Sequence, residues 1–311
     1  EETRSLPQEE EAPHTAGTAE ERLLAFIGGK AESALLMDAF NILLEEDIFR
    51  TNPQALEKLN GWVKARDASR QPAAMYAMGS LLLEKDDLSG TVKMAEEGLS
   101  KYPQSLPVQI LSLNTITVLL DKNRLQDAER LISKYPGSSP DLVFQQGALA
   151  FLKKDYSLAQ KFFREAARRA SETTAENALF NENLAALNAN DASGAAALIK
   201  EASGSSRLRE SILFEQAHYA AKRMAPQAAE LLANFITLAE TPALKTQARL
   251  DQVEVALNLN PPDLETVQAI LPLLEKEQLS PEQTMQLARL NILEAESRQT
   301  GVSGRKRRLV L

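Results

Sequence analysis

Cysteine is absent from the 311-residue chain, and histidine occurs only twice. A disulfide framework, a cysteine nucleophile and a thiolate zinc site are therefore excluded. A metal site built on histidine would have to use His14 or His218 singly, and the paired motif His-Glu-x-x-His is missing. No stretch of 18 apolar residues occurs, so no segment reads as a bilayer span. Aromatic residues are scarce at 5%, with one Trp and 13 Gly, a composition typical of helical proteins. Gly28-Gly29-Lys30 lacks the earlier glycine of a phosphate loop, has Ala31 in place of the hydroxyl residue and follows no strand, so it reads as a helix stop. Glu45-Glu46-Asp47, Asp86-Asp87 and Glu96-Glu97 read as solvated helix ends, and His218, between Ala217 and Tyr219, as a packed or surface residue. The expectation is a non-enzyme with no cofactor and no metal.

The formal net charge is -8. Seven of the acidic residues are Glu within positions 1 to 21, against Arg4, so the remaining chain carries only -2. A nearly neutral body gives no electrostatic reason to expect nucleic acid. Arg305, Lys306, Arg307 and Arg308 form the one basic cluster, read as a solvated tail.

Residues 1–19, with Pro7, Pro13 and Gly17 and Leu6 as the only large aliphatic, read as a disordered acidic tail. From Glu20 onward apolar residues recur at helical spacing, as in Leu35, Leu36, Ala39, Phe40, Ile42 and Leu43, and no alternating strand pattern is seen. Asn52-Pro53, Gln71-Pro72, Tyr102-Pro103, Ser139-Pro140, Thr241-Pro242 and Ser280-Pro281 divide the chain into helices of three to four turns with tight connections.

A repeat is legible. Thr91, Ala128, Ala159, Ala195 and Ala228 each stand four residues before an apolar residue (Ala95, Ile132, Phe163, Ile199, Leu232), at intervals of 37, 31, 36 and 33. Four residues along a helix is one face, so each pair places a small contact and a large knob on one stripe. The fullest window is Val143, Gly147, Ala150, Tyr156, Ala159, Phe163 and Ala166 around Lys153-Lys154-Asp155; another is Met75, Met78, Gly79, Leu82, Leu88, Gly98 and Pro103 around Lys85-Asp86-Asp87. Asp121-Lys122-Asn123 and Asn190-Asp191 are the turns of two more hairpins, and Ser-Lys-Tyr-Pro at 100–103 recurs at 133–136. Ile116, Asn183 and Gln216 occupy the position held by Gly79 and Gly147. These residues resemble the tetratricopeptide repeat family, most clearly over residues 72 to 237.

The resemblance implies an all-α fold, a right-handed superhelical solenoid of antiparallel helix hairpins. The expected organisation is the acidic tail, an N-terminal helical region over 20–71 packing on the array, a repeat array over 72–276, a capping helix or half-repeat over 277–300, and a basic tail over 301–311. By the same resemblance an inward column runs through Tyr76, Leu113, Phe144, Phe180 and Leu213, with Ser80, Thr117, Ala148, Leu184 and Ala217 beside it. Relatives that clamp a peptide carboxylate carry Lys, Arg and Asn on that wall. The apolar column here points instead to an amphipathic helix or extended apolar segment of a protein partner, with neither nucleic acid nor a membrane span involved. The expected function is a non-catalytic adaptor; the alternative is self-association as a structural module of a larger chain. A first residue other than Met, the acidic leader and the lack of Cys favour an extracytoplasmic, periplasmic placement, with a role in cell-envelope assembly.

Overall fold

A computed structural model describes residues 18–29, 33–65 and 67–299, with side chains of 33, 34 and 299 excepted. The acidic tail up to residue 17 and the basic tail from 301 lie outside the described residues. Every regular element among the described residues is helical. The chain divides into two compact units, Glu1–Gln145 and Gln146–Leu311.

In the first unit, α1 (Ala19–Gly28), α2 (Ser33–Glu45), α3 (Ile48–Thr51) and α4 (Pro53–Lys64) precede α5 (Gln71–Glu84), α6 (Leu88–Lys101), α7 (Leu106–Asp121) and α8 (Leu125–Lys134). Thr18 and Glu21 form a reciprocal capping box that starts α1, and Asn52 caps α4 ahead of its first-turn proline. Phe40, fully buried, stacks on Phe49 at 6.2 Å and meets Trp62 edge-on at 5.6 Å, which fastens α2, α3 and α4 into one apolar cluster with Ala73, Ala74 and Leu81 of α5. The lone tryptophan thus serves the N-terminal helices.

The unit boundary falls within α9 (Pro140–Leu152). The second unit continues with α10 (Tyr156–Arg169), α11 (Glu172–Asn188), α12 (Ala192–Glu201), a 3-10 turn at Ala202–Gly204, α13 (Ser206–Lys222), α14 (Ala228–Leu238), α15 (Pro242–Asn258), α16 (Leu264–Leu274) and α17 (Pro281–Gln299). In both units a recurring arrangement packs an odd-numbered helix on the even-numbered helix after it and on the next odd one, as α5 on α6 and α7, α13 on α14 and α15, and α15 on α16 and α17.

One joint recurs inside these hairpins. Asp86, Asn123, Lys154, Asn190 and Met224 all adopt left-handed backbone, with φ between 50° and 64°, at intervals of 37, 31, 36 and 34 residues. After each of them the next N–H reaches back to a carbonyl five residues earlier: Asp87 to Leu82, Arg124 to Leu119, Asp155 to Ala150, Asp191 to Ala186 and Ala225 to Ala220, all between 2.7 and 2.9 Å. This is the Schellman closure of a helix. Asp87, Asp155 and Asp191 then cap the following helix, accepting from the N–H of Gly90, Leu158 and Gly194. A single residue therefore ends one helix and begins the other.

Helices approach closely where the sequence supplies glycine, within the hairpin of α9 and α10 and between α5 and α7. A Cβ at Gly147 would sit 2.8 Å from the ring of Phe163, and one at Gly79 would overlap Leu111. Where Asn183 and Gln216 replace that small residue the contact is polar: Gln216 Nε2 donates to Asn183 Oδ1 at 2.9 Å and to the Ala195 carbonyl at 2.8 Å. Other cross-hairpin hydrogen bonds have similar sequence separations. Arg130 to Glu96 spans 34 residues, Arg223 to Asn190 spans 33, and Gln145 to Thr117 spans 28. Side chains at matching places in consecutive hairpins are thus neighbours.

Candidate interaction surfaces

In the first unit, Tyr76 and Ser80 lie one turn apart on α5, and Leu113 and Thr117 one turn apart on α7. Both hydroxyls are held by their own helix: Ser80 Oγ donates to the Tyr76 carbonyl and Thr117 Oγ1 to the Leu113 carbonyl, each at 3.0 Å. Gln145 Nε2 donates to Thr117 Oγ1 at 2.8 Å, which ties α9 to α7 beside Phe144. Tyr76, Ser80, Leu113 and Phe144 are partly exposed and Thr117 is exposed. With the hydroxyls engaged locally, what this face offers is mainly ring and aliphatic surface.

In the second unit the expected residues separate. Ala148 and Leu184 are partly exposed. Phe180 packs against Leu198, Ala202, Leu208 and Ile212, the core between α11, α12 and α13. Ala217 differs from the expectation of a surface position: it is 1% exposed, buried among Phe214, Leu232, Phe235 and Ala248. The reason is the orientation of α13. Gln216 points to Asn183 and Ala195, and the residue after it, about 100° further round the helix, turns into the core under α14 and α15.

Leu213 and Gln216 instead help to line a cleft of about 400 Å³ between α12 and α14, whose other apolar walls are Ile199, Leu231, Phe235 and Leu238. Leu231, Phe235 and Leu238 recur at four and three residues, a one-sided stripe legible in the sequence but not singled out there. The corresponding helices of the first unit, α6 and α8, pack directly on each other. In the second unit α12 is rich in alanine, and Ala196 and Ala197 are exposed, so it contributes only Ile199 to the cleft.

Several charged side chains in the second unit are tied between helices. Arg164 on α10 donates from Nε to Glu182 Oε1 on α11 at 2.7 Å. Burial holds the Glu182 carboxyl above its ordinary value, opposed by the Arg164 guanidinium. His218 donates from Nδ1 to Asp251 Oδ2 at 2.5 Å across α13 and α15. Among the described residues no three His, Asp or Glu side chains are grouped to hold a metal ion, and no helix is long and apolar enough to cross a membrane. No protein-family model matches the chain, and no curated protein matches it.

Proposed function

We propose that the protein is a non-catalytic interaction scaffold, in which each unit is a run of tetratricopeptide-like hairpins wound as a right-handed superhelical solenoid. The partly exposed apolar face of α5, α7 and α9, with Tyr76, Leu113 and Phe144 as its anchors, receives an apolar or amphipathic segment of a partner protein. The observation that carries this reading is the recurrent joint, a left-handed residue followed by a residue shared between two helices, at near-regular intervals. A shared joint at that period is what stacked hairpins need, because each is too small to bury its apolar face alone.

Replacing Tyr76 and Phe144 together with Ala in the full chain tests it. Affinity capture from the native source then loses its partner while the unfolding midpoint stays where it was. A fall in the midpoint with no change in what is captured would make the face ordinary core. A second reading, self-association, draws support from α17, where Met285 and Ile292 are 72% and 61% exposed on one side of the helix. Light scattering of the full chain against the double substitution Met285→Glu, Ile292→Glu decides it: a drop in mass supports self-association and an unchanged mass refutes it.

A further inference from the structure

Asp251 lies on α15 with 1% of its surface exposed. A carboxylate so far from water needs charged or hydrogen-bonding partners. It has three: His218 Nδ1 at 2.5 Å, Gln247 Nε2 at 3.2 Å, and Lys222 Nζ more distantly at 3.9 Å. His218 is the close partner that comes from another helix, and its ring is steadied by stacking on Phe214 at 5.4 Å. We propose that this contact is a proton-operated clasp: protonated His218 holds the hairpin of α13 and α14 against α15, and the seam loosens when the imidazole gives up its proton.

The charges around it make the clasp sensitive to one proton. On α13, Glu215 and Lys222 face His218, and Arg223, one turn beyond, is engaged by Asn190 and lies over the Tyr219 ring. From α15 come Asp251 and Glu254, and from α17 Arg289, which approaches Glu254 at 3.7 Å. The side chains that α14 packs into this core are apolar (Ala228, Leu232, Phe235), the polar group that α11 turns to α13 is the neutral amide of Asn183, and the turn after α11 offers the neutral amide of Asn190. Glu215, Asp251 and Glu254 are thus balanced by Lys222, Arg289 and His218 only while His218 is cationic. Once it is neutral, three carboxylates face two cations in a partly buried seam.

The direction of titration agrees with the geometry. The hydrogen bond to Asp251 raises His218 above its ordinary 6.5, against the lowering effect of burial. Burial raises Glu215 above 4.5, with Asp251 adding to the rise and His218 opposing it. A group whose pKa is raised by folding stabilises the fold below its unfolded pKa, and that contribution is lost as pH rises through the folded value. For His218 the loss therefore begins at about pH 6.5 and continues upward. Because α13 also carries Leu213 and Gln216 into the cleft beside α14, the same proton bears on the cleft's shape.

The sequence has two histidines, so His14→Gln in the full chain leaves His218 as the sole imidazole for NMR titration. The expected result is a midpoint above 6.5, with the urea unfolding midpoint falling as pH rises through that titration. His218→Gln abolishes the fall, and Asp251→Asn brings the His218 midpoint down to 6.5 or lower. Titration of His218 at or below 6.5, or a His218→Gln protein with the unaltered pH slope, overturns the proposal. Should either substitution prevent folding, the titration of the His14→Gln protein decides alone.

Discussion

The two units bury polar groups in different ways. In the first, Thr91, Ser112 and Thr115 are fully buried, yet each hydroxyl donates to a carbonyl four residues earlier on the chain, at 2.7 to 2.8 Å. These groups satisfy themselves and leave the contact between helices to apolar surface, as where Leu111 lies over Gly79. Gln71 is the exception, bridging the Val63 carbonyl and the Tyr102 hydroxyl. In the second unit Glu182, Asn183, Thr246 and Asp251 are buried and each bonds to a residue of another segment: Arg164, Gln216, Glu277 and His218. A self-satisfied hydroxyl tolerates sliding of its neighbour. A buried group that depends on a distant partner fixes register and admits dependence on pH.

The largest expected effect lies in the second unit and is asymmetric. The Glu182 side chain is 3% exposed whereas that of Arg164 is 38% exposed. Arg164→Ala strands a buried carboxylate and should lower stability by about 2 to 3 kcal/mol, less than for a fully buried pair because Arg164 is partly wet. Glu182→Gln keeps an acceptor for Arg164 and leaves the cation able to turn to water, so its cost should stay below about 1 kcal/mol. Equal losses for the two in urea unfolding would mean that the pair acts through packing and not charge, and the contrast between the units would fade. The smallest effect belongs to the first unit. Thr115→Val preserves shape, and the Leu111 carbonyl keeps its backbone donor, so the change should be below about 1 kcal/mol. A larger loss would show the hydroxyl to be part of the contact between helices.

Much of the fold can be read from the residues. The prolines that open α4, α5, α7 and α15, the small-then-large pairs on the even helices, and the Asp at the start of α6, α10 and α12 all announce themselves locally. The turn at Met224 does not, because methionine is no signal for a left-handed residue and the three-residue pattern of the other joints gives way there to a longer connection. Tyr76, Leu113 and Phe144, picked out from the sequence, are partly exposed in the first unit. The burial of Ala217 on α13 was not legible, because the rotation of that helix is set by Gln216 reaching Asn183, 33 residues away. Neither amide is unusual in its own neighbourhood, and only their pairing fixes the helix. The same holds for Glu182, which reads as a solvated acid until Arg164 is placed beside it.

The shared joint limits where the chain can change length. Four of the five connections inside the hairpins are three residues long, whereas those between hairpins, from α6 to α7 through α14 to α15, range from two to five. An extra residue at Lys154 or Asn190 would separate the end of one helix from the cap of the next and break both at once. Drift in repeat length must therefore be absorbed between hairpins or within the helices. For protein engineering, epitope tags, fluorophore attachment points and permuted termini belong at the loops around Gln104 and Ser138, and the short elbows are best left untouched.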